Sequence, residues 1–330
     1  MRRTIGLARA VIAAAMLAAA SPAAAGGGLA LVINSNDDSI SLIDTARLVE
    51  TARVPIGREP HHLMLTPDRG ELLVANAVGN ELVALDPLTG TVKRRITGIS
   101  DPYQIGFSPD GQWFVANSDR LGRVDIYRYH QGAFTLARRI PTPTNPSHMA
   151  FSADSRIVFV SLQGTGKLAA IELSTQQILW ELPVGDTPAG VWRTADDRYV
   201  LVGIMSTDHV AVVDWRKPAI VGTIVTGDGA HNIFPMTSDP ERILVSNRVA
   251  NSISIVDVLR LQTIETFPCP GGPDDMQLSA DGSELWVTSR WIRKVTVIDM
   301  RTKAIKAQIR VGRSPHGIYL SDRLAAERGS

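Results

Sequence analysis

The chain has 330 residues, 44% of them hydrophobic and only 5% aromatic, with a single cysteine and a formal net charge of +1. A balance this close to neutral gives no field for nucleic acid or an anionic membrane surface, and one cysteine excludes an internal disulfide. The length suffices to bury a large core in one or two domains.

Residues 1–25 read as an export signal. Arg2, Arg3 and Arg9 form a basic start, an apolar stretch runs to about Ala20, and Ser21-Pro22-Ala23-Ala24-Ala25 offers small residues for cleavage after Ala25. The stretch falls short of the roughly 20 apolar residues that a membrane-spanning helix needs, so no transmembrane segment is expected after cleavage. The expected location is periplasmic or secreted. The paired arginines leave general and twin-arginine export both open.

From residue 29 onward the text is strand, turn and strand. LALVINS (29–35), SISLID (39–44) and VETARVPI (49–56) read as three strands. A phrase then begins at Pro60 (PHHLMLTPD) and returns at Pro102, Pro146, Pro188, Ala230, Pro273 and Pro315, at intervals of 42 to 44 residues. Each phrase is a first strand. A second follows, as in ELLVAN (71–76), RILVSN (242–247) and ELWVTS (284–289). A third comes next, as in ELVALD (81–86), RVDIYR (123–128) and KVTVID (294–299), and then a fourth. Apolar residues alternate within the runs, and Asp-Gly or Pro-Asp pairs separate them, which is the hairpin signature.

Four short antiparallel strands per period of about 42 residues make a propeller blade. Six complete periods account for six blades. The segment 29–56 lacks a first strand, and RSPHGIYL (313–320) supplies one from the far end of the chain. The expected fold is therefore all-β: one seven-bladed propeller over residues 26–330, its ring closed by pairing the C-terminal strand with the N-terminal blade. Such closure removes edges that would otherwise template aggregation.

LLVANAVGNELVALD, ILVSNRVANSISIVD and LWVTSRWIRKVTVID resemble YVTN-type β-propeller repeats, over residues 29 to about 322. The resemblance implies a seven-bladed propeller, commonly secreted or periplasmic. It is similar in build to the propellers of quinoprotein amine dehydrogenases, the haem-d1 domain of nitrite reductases and the seven-bladed lactonases. Those relatives do different chemistry, so the fold names no reaction.

In a propeller the first strands line the central channel, and their starting ends share a face with the loops between second and third strands. Five of the seven histidines follow the phrase starts: His61, His62, His148, His231 and His316. Strand alternation lets His61 or His62 face the channel, not both. If the first ring position looks inward, the set is His61, Tyr103, His231, Asp274 and His316. If the second does, it is His62, Gln104, His148, Asn232 and Asp275. His209 belongs to the same face and His130 to the opposite one. Imidazoles here could ligate a metal or shuttle protons, with His61, His231 and His316 the metal candidates. Arg58, Arg248, Arg290, Arg293 and Arg313 could hold an anion, Trp291 could be exposed at the rim or buried between blades, and Cys269 could add a thiolate. Alanine at His61, His231 or His316 is expected to leave folding nearly intact, because a funnel lining packs little.

No CxxCH, GxSxG, HExxH or Gly-rich phosphate loop is present. The leading reading is a non-enzymatic binding, scaffold or accessory protein with a protein partner or small ligand on the loop face, and the resemblance implies a setting beside a quinoprotein or cytochrome redox system. The alternative that the resemblance implies is a haem-d1-like tetrapyrrole or transition-metal protein using the channel histidines. A third is a lactonase-like hydrolase, with a channel histidine or Asp274 as base.

Overall fold

A computed structural model describes residues 28–142, 145–236, 239–322 and 324. The export signal expected over residues 1–25 lies outside the described residues. The repeats fold as their alternation dictates, into seven four-stranded antiparallel sheets. One blade runs Pro60–Leu65, Leu72–Asn76, Glu81–Leu85 and Val92–Thr97. Its second strand is buried throughout, while its fourth is largely exposed. Apolar side chains from the two faces of each blade meet those of its neighbours, as where Phe159 meets Trp215 at a ring separation of 5.3 Å. Area removed from water, at about 25 cal/mol per Å², is what holds the blades together.

Pro315–Leu320 closes the ring as the innermost strand of the first blade, pairing Leu31 with Tyr319 and Val32 with Ile318. The amide of Ser321 donates to the Leu29 carbonyl at 2.8 Å, and the Leu29 amide donates to Ser321 Oγ at 2.8 Å. Strand ends differ from the sequence expectation in places. The strand expected over 123–128 extends to His130, because Gln131 (φ 46°) and Gly132 (φ 83°) make a two-residue turn that continues the ladder into Ala133–Pro141. Three single-turn 3-10 helices, Ser35–Asp37, Gln163–Thr165 and Arg290–Ile292, fill loops between second and third strands. Among the described residues no helix is long and apolar enough to cross a membrane.

Two recurrent features aim the first strands. The residue before each repeat phrase is left-handed, at Glu59 (51°), Asp101 (48°), Asn145 (53°), Thr187 (56°), Gly229 (75°), Gly272 (67°) and Ser314 (53°). Only two of these are glycine, so the sharp entry into the channel is held against a local steric cost. Next, the register shifts at the start of the strand, between Pro60 and His62, Pro146 and Met149, Ala230 and Ile233, and Pro273 and Met276. These are β-bulges, which re-aim side chains.

A hydroxyl from the second strand fills several bulges. Ser161 Oγ accepts from the His148 amide at 3.0 Å, Ser246 Oγ from Asn232 at 3.0 Å, and Thr288 Oγ1 from Asp275 at 2.9 Å. Ser246 and Thr288 also donate into the next blade, to the carbonyls of Asp274 (3.1 Å) and His316 (2.7 Å). Thr288→Val keeps the shape and strands a buried amide and carbonyl. It is expected to destabilise by about 1–3 kcal/mol, read from urea unfolding; an unchanged midpoint would show that the bulges hold without their hydroxyls.

Candidate functional site

The bulges decide which side chains meet at the channel mouth. His61 and His62, expected on opposite faces, enter one cluster, with His61 Nδ1 2.9 Å from His62 Nδ1. Alternation fails here because the shift between Pro60 and His62 inserts an extra residue. The first-position side chains His61, Tyr103, His231, Asp274 and His316 converge, and His62 and His148 join them from the second position. His61 lies against Tyr103 (3.8 Å between ring centroids) and His316 (4.0 Å). His62 lies against His316 (4.7 Å) and His148 (5.5 Å), and His148 meets His231 edge-on at 5.3 Å. Gln104 instead accepts the Met149 amide at 2.5 Å, and Asp275 lines an apolar cavity of about 350 Å³ with Leu63, Leu65, Met276 and Ile318.

This is an enclosed cluster rather than an open funnel. His61, His231 and His316 are 4%, 2% and 0% exposed. The expectation that alanine there leaves folding nearly intact is therefore withdrawn: each truncation removes packed volume from a closed site.

Asp274 is the electrostatic centre. Arg248 donates to its Oδ1 at 2.5 Å and Arg290 to its Oδ2 at 3.0 Å. His231 Nδ1 lies 3.2 Å from Oδ1, while His231 Nε2 takes Arg248 Nη2 at 2.8 Å, so both nitrogens of His231 are engaged. Burial alone would push the Asp274 carboxyl up; Arg248, with His316, His231 and Arg290 behind it, holds the group well below the usual range. Burial drives the imidazoles the other way, His62 down to about 4 and His148 to about 3, with His61, His231 and His316 well below the ordinary histidine value. With the neighbouring imidazoles neutral, the field that keeps Asp274 ionised is that of the two guanidiniums. Asp275 is raised well above the carboxylate range by burial and then by Asp274.

The remaining imidazole nitrogens divide into anchored and free. His62 Nδ1 lies 2.8 Å from the Tyr103 carbonyl, and His148 Nδ1 lies 2.8 Å from Ser147 Oγ. Among the described residues, His62 Nε2, His148 Nε2 and both nitrogens of His316 have no hydrogen-bond partner. Three residues, His61, His62 and His316, bring one nitrogen each within 4.8 Å of one another. His231, a metal candidate from the sequence, is committed to Asp274 and Arg248, and His62 stands where it was expected.

Other predicted residues lie outside. Arg58 and Arg293 are exposed, and Arg313 pairs with Asp37 beside the ring closure. These side chains leave from turns ahead of or beside the strand, whereas Arg248 and Arg290 follow a second strand and reach inward. Trp291 is 56% exposed at the rim, against Gly272. Cys269 sits in the apolar core with Phe267 and Met276, its thiol pushed up to about 12 by burial, so it offers no thiolate to the mouth. His209 is held by Thr207 at 3.0 Å, and His130 is exposed on the opposite face. Sequence reading passed over the bulge hydroxyls Ser161, Ser246 and Thr288. Their signal was a hydroxyl recurring at one position of otherwise apolar second strands.

The model of the YNCE-like beta-propeller family matches residues 2–326. No curated protein matches the sequence. Among solved structures, a functionally unknown protein from Desulfotomaculum acetoxidans superposes with a TM-score of 0.75 at 14% identity, covering 88% of this chain and 98% of that one. The periplasmic gluconolactonase PpgL of Pseudomonas aeruginosa gives 0.73 at 17%, covering 89% and 98%. The dihydro-heme d1 dehydrogenase NirN, in complex with DHE, gives 0.64 at 17%, covering 89% and 75%. Identities this low establish a shared fold and nothing of chemistry.

Proposed function

The chain belongs to the YNCE-like beta-propeller family, and from that premise we propose that it is an exported, non-enzymatic binding protein whose ligand site is the closed cluster at the channel mouth. The observation that carries this is the set of buried imidazole nitrogens on His62, His148 and His316 that lack partners among the described residues. Unsatisfied buried polar atoms cost about 1–3 kcal/mol each, and a ligand that takes them up recovers that cost. The export half of the reading rests on the basic, apolar and small-residue succession of residues 1–25.

The residues present do not fit a tetrapyrrole. Ring separations of 3.8 to 5.8 Å among His61, Tyr103, His316 and His62 leave no slot for a macrocycle between them. The arginines that would meet its carboxylates, Arg248 and Arg290, are engaged by Asp274. Nor is Asp274 suited to a hydrolase. A carboxylate held ionised by two guanidiniums is a weak base, far from the near-neutral value that general-base catalysis favours.

The test is native against denaturing mass spectrometry on protein isolated from the cells that make it, beside a gluconolactone hydrolysis assay. A stoichiometric adduct lost on denaturation, with no hydrolysis above the spontaneous rate, is expected. Hydrolysis abolished by Asp274→Asn, or protein that never carries an adduct, would overturn the reading.

A further inference from the structure

We propose that the ligand of this cluster is a copper ion, held by His61, His62 and His316. The inference rests on the binding reading above and names its ligand.

The geometry comes first. Each residue offers one nitrogen, and the three lie within 4.8 Å of one another. Metal–imidazole bonds of about 2.0–2.1 Å place the nitrogens of a three-coordinate ion roughly 3.5 Å apart, so small side-chain rotations close the set. Second comes the support behind the ligands. The Tyr103 carbonyl, 2.8 Å from His62 Nδ1, is only an acceptor, so the proton sits on Nδ1, where it also faces the unprotonated Nδ1 of His61 at 2.9 Å, and the Nε2 lone pair of His62 is left free. A backbone carbonyl on the second ring nitrogen is the arrangement that fixes tautomer and orientation in metal-bound histidines. Among the described residues that freed Nε2 has no hydrogen-bond partner, and neither nitrogen of His316 has one, its Nε2 standing 3.7 Å from Asp274 Oδ2. His148 repeats the pattern, anchored by Ser147 Oγ with Nε2 unpartnered, its ring 5.5 Å from that of His62. Ser147 is held in turn by Gln163 Nε2 at 3.0 Å.

The donor set then selects the ion. No thiolate is within the cluster, and the one buried carboxylate is occupied by Arg248 and Arg290. What remains is neutral nitrogen, which suits zinc, copper, iron and nickel and excludes magnesium and calcium. Among the divalent ions, affinity for a common nitrogen site peaks at cupric copper, and charge then decides between copper's two oxidation states. Charge sharpens the choice. Two guanidiniums against one carboxylate already leave the cluster positive, and each further buried unit of charge is costly. A univalent cuprous ion adds half the charge of a divalent one, so the site favours it over zinc.

Metal-depleted full-length protein titrated anaerobically with Cu(I), in competition with bicinchoninate, tests this. One equivalent per chain is expected, with zinc failing to displace it. His62→Gln and His316→Gln, which retain bulk, are expected to weaken binding by more than roughly 100-fold, since loss of a ligand exceeds the 10–100-fold effect of an outer partner. His130→Gln, on the opposite face, is expected to bind copper as the parent does. Circular dichroism on each variant separates lost binding from lost fold, and X-ray absorption at the copper edge reads imidazole scattering directly. Stoichiometric zinc with copper excluded, copper retained by both glutamine variants, or absorption without imidazole scattering overturns the assignment. No copper alongside an organic adduct in native mass spectrometry sinks copper and leaves the binding reading standing; no adduct of either kind sinks both.

Discussion

Taking the ligand-free protein from pH 7 to pH 5 is expected to cost about 4 kcal/mol of stability through His62 and His148 alone. Their folded-state values, about 4 and about 3, lie below the ordinary 6.5 because burial disfavours the charged ring. Between those limits the unfolded chain takes up protons that the folded state refuses. Stability is therefore complete above pH 6.5 and falls as the solution is acidified, by about 1.4 kcal/mol per pH unit per imidazole. His61, His231 and His316 act in the same direction. Asp275 opposes them: held protonated in the fold by burial and Asp274, it favours the folded state increasingly as pH falls toward the ordinary carboxylate value. One carboxyl returns about 1.4 kcal/mol per unit against five imidazoles, so the net effect is a loss. For a protein with a total stability of about 5–15 kcal/mol, the fall is large. Urea unfolding at pH 7, 6 and 5 measures it. A flat profile would mean that the imidazoles are solvated and the cluster open.

Removing the carboxylate at the centre is the second large effect. Asp274→Ala leaves Arg248 and Arg290, 18% and 27% exposed, facing one another with no counter-charge. Stranding a buried charge costs about 3–5 kcal/mol, and the partial exposure of both guanidiniums puts the expected loss near the lower end. His231 loses its acceptor at the same time. Arg248→Met combined with Arg290→Met in the Asp274→Ala background is expected to recover much of the loss, because the triple change removes the charges together. Thermal unfolding of the three proteins decides it. If Asp274→Ala matches the parent, water already balances the arginines and the clamp contributes nothing.

The site was partly legible from the repeat alone. His61, His231, Asp274 and His316 share one register position, and Arg248 and Arg290 each directly follow a second strand, in SNR and TSR. Such equivalence survives folding because every blade places it at the same height in the channel. Arg58 and Arg313 lie outside the cluster: they precede the left-handed turns at Glu59 and Ser314, Arg58 is exposed, and Arg313 pairs with Asp37. The joint entry of His61 and His62 broke the alternation rule. A bulge is a local exception to a two-residue period, and Pro60 with His61-His62 carries no mark that announces it.

Fold and closure follow from chain-local information. Alternation makes strands, Asp-Gly and Pro-Asp pairs turn them, a period of about 42 residues makes a blade, and the missing first strand before Leu29 demands RSPHGIYL. Each of these depends on residues near one another in the text or on simple counting. Ionisation does not. Asp274 meets Arg248 and Arg290 across two blades, and His62 meets Tyr103 and His316 from either side of its own. Burial sets their charge states, and burial exists only once seven blades have closed around one axis. Electrostatic energy depends on through-space distance and on the water excluded by neighbours, and sequence spacing encodes neither.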